Sequence, residues 1–263
     1  IKGIIDDLKD ILASEVRQRD IVKEELTEVK TRFGDERRSK ISFDTSEISI
    51  TDMIPDEDVV VTISKLGYIK RTPVAEYRSQ SRGGRGSRGS KTRDKDFLEH
   101  MFIASNHDYL MLFTEQGRCF WLRIYEIPEA GKQSAGRVIQ NILAMPKDDN
   151  VKAYISIADL TDEEFLNSHS VIFATKRGQV KKTSLEQYSR PRTNGINAIT
   201  INDDDQLLEV KLTSGSSAVF LATKKGQAIH FEEAKVRNMG RNAAGVRGVS
   251  LDGDDDEVVG MVT

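Results

Sequence analysis

The chain has 263 residues, 39 of them basic and 42 acidic, so a formal net charge of -3 sits on a heavily charged surface. At 38% hydrophobic content it can bury a core, and its length suits one large all-β domain or two ordinary ones. No stretch approaches the roughly 20 apolar residues of a membrane span, residues 1–10 lack the basic-then-apolar order of a secretory signal, and a lone cysteine, Cys119, excludes an internal disulfide or a thiolate metal cluster. A reducing cytoplasm is the expected compartment.

Apolar residues at Ile1, Ile4, Ile5, Leu8, Ile11, Leu12, Val16, Leu26 and Val29, with charges between them, follow the period of an amphipathic helix. With no proline and no glycine after Gly3, one long helix is predicted to run to Phe33-Gly34, where a left-handed glycine would end it. Residues 1–40 are read as this helix and a linker, and residues 41–263 as a separate domain. The apolar stripe needs a partner. No other segment reads as a comparable helix, so the partner is a second copy or a segment outside this sequence.

Beyond Ile41 the texture changes to short runs rich in Val, Ile, Phe and Thr, separated by Gly, Asp, Asn and Lys, which predicts many short strands. Four segments align: Val59 to Gly67, Tyr109 to Gly117, Val171 to Gly178 and Val219 to Gly226. Each is an apolar strand, a Ser or Thr, two polar or turn residues and a glycine. The glycines at 67, 117, 178 and 226 are each followed by a second, at 86, 136, 195 and 245, offset by 19, 19, 17 and 19 residues. A repeat near 50 residues is the size of a four-stranded propeller blade, so an all-β, propeller-like array is predicted.

Between its two glycines each repeat has a second strand, basic in most copies: Lys70-Arg71, then Arg118 and Arg123, then Lys181-Lys182, with only His230 in the fourth. Beside the second glycine lie Arg85, then Lys132 with Arg137, then Arg192, then Arg241 with Arg247. Acidic runs at Asp56-Glu57-Asp58, Asp148-Asp149, Asp162-Glu163-Glu164, Asp203-Asp204-Asp205 and 254–257 fall in the connections between blades. If blades repeat about an axis, this ordering separates a basic rim from acidic loops, and a nucleic acid responds to that local field rather than to the net charge.

The most basic segment spans residues 65–96, with ten basic and three acidic side chains, and includes the glycine-arginine run 77–89. Glycines let the backbone approach a phosphate, and arginines offer planar donor forks to its oxygens. Gly84-Arg85-Gly86-Ser87-Arg88-Gly89 fits the dinucleotide pattern as a string, yet residues 90–95 are polar and do not form the apolar helix that motif opens. A phosphate loop fails as well, because Ser90 separates Gly89 from Lys91-Thr92. Taken alone, such a run is also the composition of a solvated loop. His100, His107, His169 and His230 lack metal-ligand spacing, Cys119 sits in an apolar strand, and no tyrosine has an acid, base and metal around it, so no catalytic or metal centre is expected.

Gln80-Ser81-Arg82-Gly83-Gly84-Arg85-Gly86 resembles the seven-residue box in the C-terminal domain of the DNA gyrase A subunit, written Gln, basic, Arg, Gly, Gly, Arg or Lys, Gly. Ser81 is the departure, so one phosphate contact is either missing or supplied by Arg78 or Arg88. Residues 30–38 are similar to the end of the gyrase coiled-coil arm, and residues 237–248 to a fourth-blade loop. The resemblance implies a β-pinwheel, a propeller variant with strands exchanged between blades. Four of six expected blades are visible, which makes the chain a fragment. It implies that duplex DNA wraps around the outer rim, held by Gln80, Arg82, Gly83, Gly84, Arg85, Gly86, Arg88 and Arg78, and onward by Lys70, Arg71, Lys181, Lys182, Arg192, Arg241 and Arg247.

The parent implied by the resemblance is an ATP-dependent type IIA topoisomerase of the bacterial cytoplasm, associated with the nucleoid. In it two A subunits join two B subunits, which supply the ATP and Mg2+ sites, while the catalytic tyrosine lies outside these residues. This chain itself is expected to need no cofactor. Two other readings are kept: the C-terminal domain of the topoisomerase IV A subunit, which usually has a degraded box, and a propeller whose acidic loops bind protein partners.

Overall fold

A computed structural model describes residues 1–35, 39, 50–77, 96–146 and 148–263. The chain divides into two compact units, Ile1–Ile48 and Ser49–Thr263. In the first, the predicted single helix is two, α1 (Lys2–Ala13) and α2 (Glu15–Phe33). Ser14 between them is extended, and its hydroxyl accepts the Arg17 N–H at 3.4 Å. A serine side chain competes with the helical ladder for backbone donors, and here it starts a new helix instead of continuing the old one. Gly34 ends α2 as expected, but in an extended conformation. Glycine is required there because a Cβ would lie 2.3 Å from the Lys30 carbonyl oxygen.

The second unit is built from the four repeats. The first supplies β1 (Asp58–Ser64), β2 (Tyr68–Pro73) and β3 (Leu98–Ser105). The second supplies β4 (Tyr109–Thr114), β5 (Arg118–Arg123), the two-residue β6 (Arg137–Val138) and β7 (Val151–Ile157). The third supplies β8 (Ser170–Thr175), β9 (Gln179–Ser184), β10 (Ile196–Asn197) and β11 (Leu207–Thr213), and the fourth β12 (Ala218–Thr223), β13 (Ala228–Glu232), β14 (Val246–Arg247) and β15 (Val258–Val262). The short strands leave their own repeat: β6 pairs with β2, β10 with β5 and β14 with β9, so each completes the sheet of the preceding blade. This exchange is the pinwheel architecture implied by the resemblance. The fourth sheet, β13-β12-β15, has three strands among the described residues.

Both glycines of the repeat have structural reasons. The first closes the hairpin: Gly178 has φ +84° and donates its N–H to the Thr175 carbonyl at 3.0 Å, so the four-residue turn ends in a left-handed residue. The second brings in the exchanged strand: Gly245 has φ +106°, and a Cβ there would lie 2.7 Å from the Val180 carbonyl oxygen. The recurring Ser or Thr is explained too, since Thr175 Oγ1 accepts the Gln179 N–H at 3.1 Å, as Ser64 and Thr114 do for Tyr68 and Arg118.

An aspartate two residues before each outer strand buttresses the same turn. Asp205 accepts the N–H groups of Arg177 and Gln206 at 2.9 and 2.8 Å, and Asp96, Asp149 and Asp256 make the equivalent pair of bonds. Asp149, Asp205 and Asp256 are buried. The acidic runs are therefore not solvated loops throughout, because one member of each of these three runs is a structural acceptor.

Hydrophobic clusters lie between consecutive blades. Leu110 and Leu112 of β4 pack toward Val59, Val61 and Ile63 of β1, whereas Met111 and Phe113 pack toward Val171 and Phe173 of β8. Ile172 and Ala174 of β8 then face Val219 and Leu221 of β12. A strand covered on both faces reads as an unbroken apolar run, which is why β1, β4 and β8 show no period-two alternation, whereas β12 is buried along one face only.

Candidate nucleic-acid interface

The exchanged strands are preceded by loops at equivalent places, residues 131–136, 190–195 and 240–245. Each approaches the preceding blade alongside its second strand: Ala130 donates to the Arg71 carbonyl at 3.0 Å, and Met239 to that of Lys182 at 2.8 Å. These loops and the short strands they lead to carry the remaining basic residues. Arg137, Arg190, Arg192 and Arg247 are exposed or nearly so, and Lys132 and Arg241 are partly covered. Lys132 lies over the Tyr77 ring, its Nζ 4.4 Å from the centroid. Arg192 and Arg241 share an open cleft of about 360 Å³ with Glu186, Gln187, Ser189 and Arg190. The Arg241 N–H is anchored to Gln187 Oε1 at 3.2 Å.

The basic residues of the second strands lie elsewhere. Lys70 and Lys181, expected on the rim, are buried, at 1% and 0% exposure. Lys70 Nζ donates to the carbonyls of Gly131 and Lys132, both at 3.0 Å. Lys181 Nζ donates to those of Ala198 and Arg241 at 2.5 and 2.7 Å. Burial draws both ammonium groups below the ordinary lysine value, Lys181 to about 7 with the nearby Arg241 charge contributing, while Glu76 opposes the shift at Lys70.

Arg71 and Lys182 are also committed inside the fold. Arg71 donates to the Ile127 carbonyl at 2.8 Å and to Asn106 Oδ1 at 3.2 Å, and pairs with Glu129 at 3.1 Å. Lys182 Nζ donates to the Glu233 carbonyl at 3.1 Å and stands 3.9 Å from its fully buried carboxylate. These four side chains fasten one blade to the next and are not free to meet phosphates, which corrects their placement on the DNA track. At the junction of the second and third blades the equivalent positions are Phe120 and Trp121, which are apolar, and the loop is held by Arg118, donating to the Asn194 carbonyl at 2.5 Å.

The box residues Gln80, Arg82, Gly83, Gly84, Arg85 and Gly86, with Arg78 and Arg88, lie outside the described residues. Of the remaining sites read from sequence, the structure brings Arg192 and Arg241 together and leaves Arg247 exposed on β14. Arg190 was missed, although it is two residues from Arg192 in the same loop. The buttressing aspartates were missed as well, and their fixed spacing before the outer strand is the signal that could have found them. Burial pushes the Cys119 thiol well above its ordinary value, which is unsuited to a nucleophile. Among the described residues, no three His, Cys, Asp or Glu side chains group around a metal position, and no helix is long and apolar enough to cross a membrane.

The sequence profile of the family described as DNA gyrase C-terminal domain, beta-propeller, matches residues 58–105, 108–153, 169–214 and 218–263, one segment per blade. The DNA gyrase A subunit of Staphylococcus epidermidis (strain ATCC 12228) is 43% identical over 258 residues, covering 98% of this chain and 28% of the relative. That of Haemophilus influenzae is 40% identical over 257 residues, covering 96% and 29%. The chain thus spans less than a third of the length of these curated relatives. Among solved structures, a C-terminal domain of DNA topoisomerase IV superposes with a TM-score of 0.66 at 33% identity, over 80% of this chain and 62% of that one. A DNA gyrase A C-terminal domain does so with a TM-score of 0.60 at 24% identity, over 78% and 64%, a likeness of fold. With a profile match that repeats blade by blade and relatives of this identity along nearly its whole length, the chain belongs to the DNA gyrase C-terminal domain family.

Proposed function

We propose that the chain holds and wraps duplex DNA along the loops that precede its exchanged strands. The observation that carries this reading is the cleft lined by Arg190, Arg192 and Arg241, which come from two adjacent repeats, with Arg247 exposed on the next strand. Lys132 occupies the equivalent loop one junction earlier, and Arg137 stands on the exchanged strand that follows it. Bending 20–30 base pairs by 40–90° costs on the order of 1–6 kcal/mol, so a wrap needs phosphate contacts repeated along a curved surface, and a blade array repeats them at each junction. Contacts to phosphates make binding steeply salt-dependent and weakly sequence-specific. The box Arg82 and Arg85 would fasten one end of the wrap. In the longer protein this wrapping would feed a type IIA topoisomerase of the bacterial cytoplasm, in which paired A and B subunits use ATP to introduce negative supercoils.

Equilibrium binding of a duplex of about 40 base pairs across a salt series tests the reading. The triple variant Arg192→Ala/Arg241→Ala/Arg247→Ala should bind more weakly, with a shallower dependence of log K on log salt, by roughly 0.9 for each phosphate contact removed. Unchanged affinity and slope in that variant would refute the rim assignment.

A further inference from the structure

We infer that Lys181 and Lys70 are positioning residues for DNA binding, each fixing the backbone of the very residue that presents a rim cation, Arg241 and Lys132 respectively. The inference rests on the proposed DNA function. Burial of these two lysines is the odd feature. An ammonium group taken out of water pays a desolvation cost that two backbone carbonyls offset only in part. Packing alone does not require it, because the equivalent position in the second blade is Phe120, buried at 1% exposure. The lysines are thus there to be donors.

Their acceptors are specific. Counting back four residues from the second glycine reaches Lys132 before Gly136 and Arg241 before Gly245. The carbonyls of both residues accept from the buried lysine, at 3.0 and 2.7 Å. The same count before Gly195 reaches Pro191, and the residue facing that loop from the preceding blade is Phe120. A buried lysine is therefore paired with a cation at this position at two junctions; at the third the position is Pro191, the facing residue is Phe120, and the loop's cations Arg190 and Arg192 flank the proline. Lys181 also draws on the Ala198 carbonyl, just past β10. The clip therefore ties the Arg241 loop to the strand exchanged at the neighbouring junction and keeps the two rim loops of the cleft in register.

The test is a double-mutant cycle on the whole chain, comparing wild type, Lys181→Met, Arg241→Ala and the double variant in the same duplex-binding salt series. Lys181→Met should weaken binding roughly threefold or more and flatten the salt slope as Arg241→Ala does, and the double variant should bind no worse than Arg241→Ala alone. In Lys181→Met, amide exchange should quicken at Ala243, whose N–H the Gly240 carbonyl accepts, while thermal unfolding stays cooperative. Wild-type affinity in Lys181→Met, or an equal loss in both backgrounds, would overturn the positioning role and leave the DNA reading standing. Failure of the wild type to bind duplex would overturn both. Should Lys181→Met not fold, the cycle of Lys70→Met with Lys132→Ala decides the matter by the same criteria.

Discussion

Lys181 gives its ammonium to two carbonyls in the interior, and that commitment has a signature in stability as well as in binding. Unfolded, its pKa returns to 10.5, whereas in the fold, burial beside Arg241 holds it at about 7. Between those values the unfolded chain binds more protons than the folded one, so this group's contribution to unfolding free energy rises with pH across that window. Urea midpoints at about pH 6.5 and about pH 9.5 should therefore show wild type gaining on Lys181→Met as pH increases. A constant difference would mean that the lysine is not desolvated. The neutral amine keeps two donors for the two carbonyls, so the clip survives deprotonation. A lysine in a strand of a charged protein reads from sequence as a surface cation. The reading is reversed by a pair of carbonyls 17 and 60 residues away, which no local pattern reveals. The aspartates hide their role in the same way. Asp149 and Asp205 sit in acidic runs that resemble solvated loops, yet each holds two turn amides.

At the scale of elements, the hairpins were legible because each carries its own signals, an apolar run, a hydroxyl residue and a glycine in a left-handed turn. The exchanged strands were not, since two residues are too few to show a period. They left only the second glycine as a trace, and the structure supplies its reason. Gly226 and Gly245 separate the two roles. Both have positive φ, but a Cβ at Gly226 meets nothing within 4 Å, while one at Gly245 meets the Val180 backbone. Gly226→Ala should cost about 1–2 kcal/mol from the left-handed backbone alone. Gly245→Ala should cost about 1–3 kcal/mol more, because β14 must shift from β9. Equal losses in chemical denaturation would argue against the docking role of the second glycine. The helix break at Ser14 escaped the sequence reading for a similar reason: the apolar period continues through it, and only the serine hydroxyl marks the restart.

For the whole molecule, the repeat is the source of both fold and proposed function. A basic loop recurs at each junction because each repeat sends a strand into the blade before it, and the loop leading to that strand is left on the surface. Two of the three such loops among the described residues carry a cation clipped from beneath, and the third carries Arg190 and Arg192 without a clip. The four-blade array, and the recurrence of basic residues beside the second glycine of each repeat, could be read from spacing. The division of basic residues into fasteners and rim contacts could not, because it depends on which side of a strand meets the next blade. The most direct measurement is the linking-number change of a circular plasmid closed by a nicking-closing enzyme in the presence of the chain. Wrapping predicts a topoisomer distribution displaced in proportion to bound protein, with the displacement lost in Arg192→Ala/Arg241→Ala/Arg247→Ala. An undisplaced distribution at saturating occupancy would contradict the account.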